Sequence, residues 1–264
     1  MSPTTADFYN PLAAHYHLIF EDWDRSIDRQ AHILNPLLAK HTRRSSLNLL
    51  DCACGIGTQA IGFAQAGHRV VASDASPAAV ARARLEATQR HLDIAFFVSD
   101  MTSLAEIPGS NFDVVAALDN ALPHLSPPQL SHALQAAASK LAPKGLFIAS
   151  IRDYDRLILE RPTTQPPAFY GQAANTQTDR RIVHQLWDWI DNERYTAHLY
   201  ITTRSGADWV VHHFATEYRC LLRDELSTAL TSSGFDQFRW LMPEESGFYQ
   251  PIIIAKKRPE GAAD

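Results

Sequence analysis

The chain has 264 residues, 45% of them apolar, with a formal net charge of −5 and a pI near 6.2, which suits one α/β domain with an elaboration and a sizeable buried core. The basic residues are scattered, no apolar run reaches transmembrane length, and the polar first ten residues are no secretory signal. These features point away from nucleic-acid and membrane partners and toward a small-molecule substrate. Cys52, Cys54 and Cys220 are an odd, sparse set that suits a reducing, cytoplasmic setting. Cys52 and Cys54 lack the spacing of a zinc or redox pair and read as buried fillers, so no metal is expected.

Residues 1–45 read as an N-terminal cap. Tyr9, Tyr16, His17, Phe20 and Trp23 fall within fifteen residues, ahead of an amphipathic helix over 26–40. Aromatics with a polar tip exclude water and offer one hydrogen bond, so the group suits a cover over a ligand, although packing alone explains any single member. From 46 to 151, strands at 47–51, 69–73, 94–98, 112–118 and 146–151 alternate with helices at 57–66, 77–91 and 127–141, the pattern of a parallel sheet. Ser76-Pro77 and Ser126-Pro127 each place an N-cap before a first-turn proline.

Pro162, Pro166 and Pro167 then mark an irregular segment. Runs at 181–190, 195–203 and 209–218, joined by turns at Asp191-Asn192 and Ser205-Gly206, predict an antiparallel meander within an inserted region over 152–218. A helix at 223–233, closed by Gly234, and strands at 238–241 and 249–256 complete the fold over 219–256, leaving 257–264 as a flexible tail. The prediction is a single α/β domain: a Rossmann-like, seven-stranded, mostly parallel sheet with helices on both faces and an antiparallel last strand, plus the meander and an N-terminal helical cap. A homo-oligomer is compatible with this reading.

The stretch 47–57, Leu-Asn-Leu-Leu-Asp-Cys-Ala-Cys-Gly-Ile-Gly, delivers a strand to a tight turn at a helix N-terminus, where glycines let a ligand approach the backbone. Asp51 ends that strand, and Asp74 ends the next. The run from Gly55 to Ala60 formally fits G-x-G-x-x-G/A, which keeps an NAD-dependent oxidoreductase open. Asp51 argues against it, because a carboxylate at the turn repels a pyrophosphate and attracts an ammonium. S-adenosylmethionine suits that arrangement, carrying an α-ammonium, a sulfonium and a ribose diol but no phosphate.

With Ser99-Asp100-Met101, these residues make the chain resemble the class I S-adenosylmethionine-dependent methyltransferases. The tyrosine-rich head, Asp-Asn-Ala-Leu-Pro-His-Leu at 119–125 and Ile-Arg-Asp-Tyr-Asp at 151–155 make it similar to the glycine/sarcosine N-methyltransferase branch, over most of residues 8–256. The resemblance implies that the backbone of Ala53, Gly55 and Gly57 passes under the cofactor and that Asp51 holds the methionine ammonium. Asp74, beside Ala75, would take the ribose hydroxyls, and Asp100 and Met101 would flank the adenine. Leu118, Asn120, His124 and Leu125 would wall the methionine portion. Tyr9, with Tyr16 or His17, is the candidate aromatic cover, and Arg29 or Arg25 the partner of the methionine carboxylate. Ala53 replaces the first glycine of the usual pattern. Phe20 stands where the branch has a tyrosine near the substrate, which weakens the case for glycine itself as acceptor.

Methyl transfer from a sulfonium is an in-line displacement, so the protein chiefly supplies alignment, water exclusion and a correctly protonated acceptor. The expected reaction is transfer to an amine or amino-acid nitrogen, oriented by Asn120 and by a tyrosine hydroxyl, Tyr16 or Tyr218. Arg152 suits an acceptor carboxylate. Its competing role is a salt bridge to Asp153 or Asp155. His124 is either a wall residue or the base of an O- or C-methyltransferase. Trp187 and Trp189 alternate on one strand face and read as core or lid. A cofactor-binding protein without activity is a further alternative, opposed by the acids at 51, 74 and 100.

Overall fold

The computed structural model describes residues 5–171 and 180–259. The head is a short helix α1 (Thr5–Leu12), a 3-10 turn (Tyr16–Ile19) and a long helix α2 (Trp23–Thr42). Helix α2 starts earlier than the 26–40 expected, because the Asp22 side chain accepts the Arg25 N–H and caps it. It ends at Arg43, in the left-handed region at φ 58°.

The core follows as β1 (Asn48–Asp51), α3 (Thr58–Gln65), β2 (Arg69–Asp74), α4 (Pro77–Gln89), β3 (Ile94–Val98), β4 (Phe112–Ala117), α5 (Pro127–Lys140) and β5 (Leu141–Ser150). After the inserted region come α7 (Arg223–Ser232), β10 (Phe235–Leu241), the short helix α8 (Pro243–Ser246) and β11 (Ile252–Lys257). One seven-stranded sheet runs β10-β11-β5-β4-β1-β2-β3, with β11 antiparallel to both neighbours and the other pairings parallel. Successive residues of a strand face opposite ways, and here both faces are dry. Leu49, Val114 and Ile148 pack under α2 and α3 residues such as Leu34, Leu38 and Phe63, while Leu50, Val115 and Phe147 pack under α5 and α7. A sheet buried on both faces is what the near-continuous apolar strands require. The chain leaves neighbouring strands β1 and β4 toward opposite faces, and a crevice opens at their carboxyl ends.

The region after β5 departs most from expectation. Residues 154–160, for which no element is expected, form α6 (Tyr154–Glu160), and the proline-marked segment forms a strand β6 (Thr164–Tyr170). Strand β6 tolerates Pro166 and Pro167 because it lies at a sheet edge with a register shift between Gln165 and Ala168. The meander therefore has four strands: β6, β7 (Arg181–Trp189), β8 (Arg194–Ser205) and β9 (Asp208–Arg219). Its inner face seats α1 through Phe8 and Leu12 against Val183, Leu199, Ile201 and Phe214, which fixes the head over the crevice. Strand β5 begins at Leu141, directly after α5, rather than at 146, and β10 begins at Phe235. The last strand begins at Ile252, so Tyr249 lies in a loop. Lys257 closes β11 instead of opening the tail, and 260–264 lie outside the described residues. Cys52 and Cys54 are buried free thiols, and burial pushes both thiols up, as fits packing residues. Among the described residues, no helix is long and apolar enough to cross a membrane.

Candidate active site

Strand β1 ends with Asp51 almost fully buried. One carboxylate oxygen accepts the Ala53 N–H at 3.3 Å, and the other, Oδ2, has no hydrogen-bond partner among the described residues. Burial pushes its pKa up to about 7, with smaller contributions from the nearby carboxylates of Asp74 and Asp119. The turn beyond it needs its glycines. Gly55 has φ +52°, faces open space and donates to Asp74 Oδ2 at 2.9 Å. Gly57 caps α3 at φ +100°, where a Cβ would press on Ile61 and Ala83. Asp74 also accepts the Ser76 N–H at 2.9 Å. Burial raises its pKa, and these two N–H groups pull it back. Ala75 is half-buried beside it.

The other cofactor candidates are spread around this turn. Asp100 is exposed just past β3 and accepts the Thr102 N–H at 2.8 Å, while Met101 packs partly against the core. Leu118 and Leu125 are buried on opposite faces of the sheet. His17 is not among the residues that line the cavity described next, whereas Tyr16 is.

A cavity of about 1020 Å³ lies beside the turn, between the head, the carboxyl ends of β4 and β5, the meander and the loop after α8. From the head, Tyr9, Tyr16, Phe20, Arg25 and Arg29 line it. The Tyr9 hydroxyl lies 3.1 Å from His124 Nε2, and the His124 ring lies 4.3 Å from that of Tyr218. Burial, and then the Arg152 charge, lower the His124 pKa to about 3, so its imidazole is neutral. Arg181 of β7 holds the head down by donating to the carbonyls of Leu18, Phe20 and Glu21.

Asp119 and Asn120 follow β4 with φ 56° and 66°, consecutive left-handed residues of the types that tolerate that region. Ser150 fixes the turn: its Oγ accepts the Asp119 N–H at 2.8 Å and its carbonyl accepts the Asn120 N–H at 3.1 Å. The Asn120 side chain accepts the Arg152 N–H and donates to the Tyr154 hydroxyl, both at 2.9 Å. Asp119 lines the cavity and accepts from Gln59 Nε2 at 2.7 Å and from the Tyr249 hydroxyl. Burial raises its pKa against those two hydrogen bonds. In the sequence Asp119 stands out only as the first residue of the 119–125 stretch and carries no expected role, although Asp51 and Asp74, also at strand ends, are expected to bind the cofactor. Tyr249 and Tyr195 carry no local signal, and Tyr154 falls in the 151–155 stretch without an expected role of its own.

Arg152 lies against the Trp187 and Tyr218 rings, 4.9 and 5.0 Å from their centroids, and donates to the Tyr195 hydroxyl at 2.6 Å. The acids expected to compete for it point elsewhere: Asp153 and Asp155 pair with Arg223 at 2.7 and 3.4 Å. Among the described residues Arg152 makes no ion pair, and its pKa rises, the neighbouring phenols outweighing burial. Trp187 is buried and stacks on Tyr195, while Trp189 lies partly buried on the same face.

Residues 49–145 match the family model described as a methyltransferase domain. A glycine/sarcosine N-methyltransferase of Parasynechococcus marenigrum is 31% identical over 52% of this chain and 48% of its own length. A ubiquinone biosynthesis O-methyltransferase of Azotobacter vinelandii is 34% identical over 37% of this chain and 44% of its own. The chain thus aligns with about half the length of these curated relatives. Among solved structures, an S-adenosylmethionine-bound amino pentose methyltransferase of Micromonospora echinaspora superposes with a TM-score of 0.71 at 18% identity, covering 92% of this chain and 95% of that one.

Proposed function

From a chain whose residues 49–145 belong to the class I S-adenosylmethionine-dependent methyltransferases, we propose that the protein methylates a nitrogen of a small amine or amino acid that also carries an anionic group. The observation behind this reading is that one cavity is lined by a guanidinium without an anion, Arg152, and a carboxylate without a cation, Asp119. An acceptor with an ammonium and a carboxylate complements both. The volume of about 1020 Å³ exceeds what glycine needs and lies at the upper limit of drug-sized ligand sites. Relatives named for amine acceptors support the nitrogen, and the O-methyltransferase relative keeps oxygen as the alternative.

The turn suits the cofactor. The unpartnered Asp51 oxygen fits an ammonium, Asp74 retains lone pairs for a diol, and Gly55 leaves room for close approach. When bound, S-adenosylmethionine supplies an electrophilic methyl group on a sulfonium. Arg152 anchors the acceptor's anionic end in this scheme, its direction set by Tyr195 and the Asn120–Tyr154 pair. Asp119 Oδ accepts a proton from the acceptor ammonium, freeing the nitrogen lone pair for attack, and burial makes it a better proton acceptor than an exposed aspartate. The head and the aromatic wall exclude water. An oxygen acceptor would need a stronger base, and His124, lowered to about 3, is a weak one.

A screen of amino acids, simple amines, amino sugars and phenols, following S-adenosylhomocysteine release, tests this reading. Amines bearing a carboxylate should turn over best. Turnover of phenols alone would refute it.

A further inference from the structure

At the opposite end of the sheet, a second cleft of about 670 Å³ opens between the end of α2, the start of β5 and the outer ends of β10 and β11. Six cationic side chains line it: Lys40, Arg43, Arg44, Lys144, Lys256 and Lys257. The two carboxylates there are Asp113 and Asp236. The chain has only five lysines, at 40, 140, 144, 256 and 257, and four of them meet in this cleft, in a protein whose net charge is −5. Cations that look scattered along the sequence are therefore gathered by the fold.

Internal pairing does not explain the gathering. Arg44 pairs with Asp113 at 2.5 Å, and Lys257 donates to the Leu141 carbonyl at 2.9 Å. Lys40, Arg43, Lys144 and Lys256 make no ion pair among the described residues. Cations at a helix C-terminus complement the helix dipole, which accounts for Lys40 in the last turn of α2 but not for Lys144, Lys256 and Lys257, which come from other elements. Six cations against two carboxylates around one cleft give it a positive potential, which favours entry of an anion. The backbone is also unusual here. Arg43, Lys144 and Gln237 all line the cleft in left-handed conformations, at φ 58°, 63° and 46°, and such positions tend to collect at ligand sites. The cationic surroundings are felt by His41, which burial, then Lys40 and Lys256, disfavour from protonation.

We propose that this cleft binds a small molecule bearing a chain of phosphates. Several flexible ammonium groups and two guanidiniums around one concave site match a compact ligand of high negative charge, and both side chains are phosphate binders. A single carboxylate would leave most of the cations uncompensated. The site is separate from the methyl-transfer cavity. Helix α2 touches both, but Ser26 and Lys40 lie about 20 Å apart along it at the ordinary helical rise. The proposal does not depend on the methyl acceptor.

The test is calorimetric titration of the full chain with tripolyphosphate and with ATP, alongside S-adenosylhomocysteine as a check on folding. Tripolyphosphate should bind at one saturable site whose affinity falls as salt is added. The Lys144→Glu/Lys256→Glu variant should weaken it by about tenfold or more, and Arg204→Glu, at the β8–β9 hairpin, should not. Tighter binding of ATP would place the nucleoside in the ligand, and equal binding would make the phosphate chain the whole of it. On the unaltered protein, tripolyphosphate should protect Lys40, Lys144, Lys256 and Lys257 from acetylation more than Lys140. Absence of saturable binding, full affinity in the double variant, equal loss in Arg204→Glu, or uniform lysine protection would each overturn the proposal.

Discussion

Replacing Arg152 with methionine removes the charge at the acceptor end of the cavity while keeping an unbranched stem between Trp187 and Tyr218. If the guanidinium anchors an acceptor carboxylate, the loss is that of a charged hydrogen bond, roughly 1.5–3 kcal/mol. That corresponds to a fall of about 10- to 150-fold in kcat/KM. A carboxylate remote from the reacting nitrogen is held alike in the ground state and the transition state, so the loss should appear mainly as a raised KM. The assay compares a carboxylate-bearing amine with its decarboxylated counterpart, in both proteins, by release of S-adenosylhomocysteine. Only the carboxylated acceptor should suffer, and S-adenosylhomocysteine affinity should hold. The same arginine also organises protein groups, through Tyr195 at 2.6 Å and two aromatic faces, and losing those contacts costs about 0.5–2 kcal/mol of stability. Thermal unfolding measures that separately. Equal kinetic losses for both acceptors would refute the anchoring role and leave Arg152 as an organiser of the tyrosines.

Further outcomes follow from the cofactor turn and from Asp119. Asp74→Ala should weaken S-adenosylhomocysteine binding by roughly 1.5–3 kcal/mol in calorimetry, the value of hydrogen bonds to a charged group; unchanged affinity would misplace the ribose. Because the Asp51 pKa is raised to about 7 in the folded protein, its contribution to stability is complete only below the unfolded value and is lost as pH rises toward about 7. Asp51→Asn should therefore flatten the fall in unfolding temperature across that range. In the unaltered protein, S-adenosylhomocysteine should bind more tightly as pH rises through about 7 and Asp51 ionises to meet the ammonium, and the asparagine variant should lose that dependence. Tyr249→Phe removes a hydrogen bond that lowers the Asp119 pKa, so the acidic limb of the kcat/KM profile should move to higher pH. Gly57→Val should destabilise the fold by about 1–2 kcal/mol or more, since a β-branched residue would sit at φ +100° against Ile61 and Ala83.

The residues proposed to meet the cofactor are local in the chain, which is why the sequence alone could nominate them. Asp51, Gly55 and Gly57 fall within seven residues and Asp74 on the next strand, and β1 and β2 pair in parallel with Asp51 opposite Ala72. Strand, turn and helix signals there agree with one another, as do the Ser76-Pro77 and Ser126-Pro127 helix starts. The missed elements broke local rules for tertiary reasons. Thr164–Tyr170 reads as irregular because of its prolines, yet the edge position and the register shift between Gln165 and Ala168 together spare them ladder bonds.

The acceptor half is assembled from long-range contacts that no window of sequence contains. Tyr9 meets His124 across 115 residues, Arg152 meets Tyr195 across 43, and Asp119 meets Tyr249 across 130. Asp119 was nevertheless within reach of the reasoning applied to Asp51. Among the described residues none of the three acids makes an ion pair, and the strand order β4-β1-β2 sets them side by side at the carboxyl ends of those strands, each held by uncharged protein donors. In the proposed arrangement S-adenosylmethionine would bring its ammonium to Asp51 and its sulfonium to the same crevice. That arrangement would leave the third acid for the acceptor. An ammonium there satisfies Asp119 and is held beside the sulfonium until its proton moves, whereas a neutral phenol would leave the carboxylate uncompensated. The charge balance of the crevice therefore argues for nitrogen over oxygen independently of any relative's name.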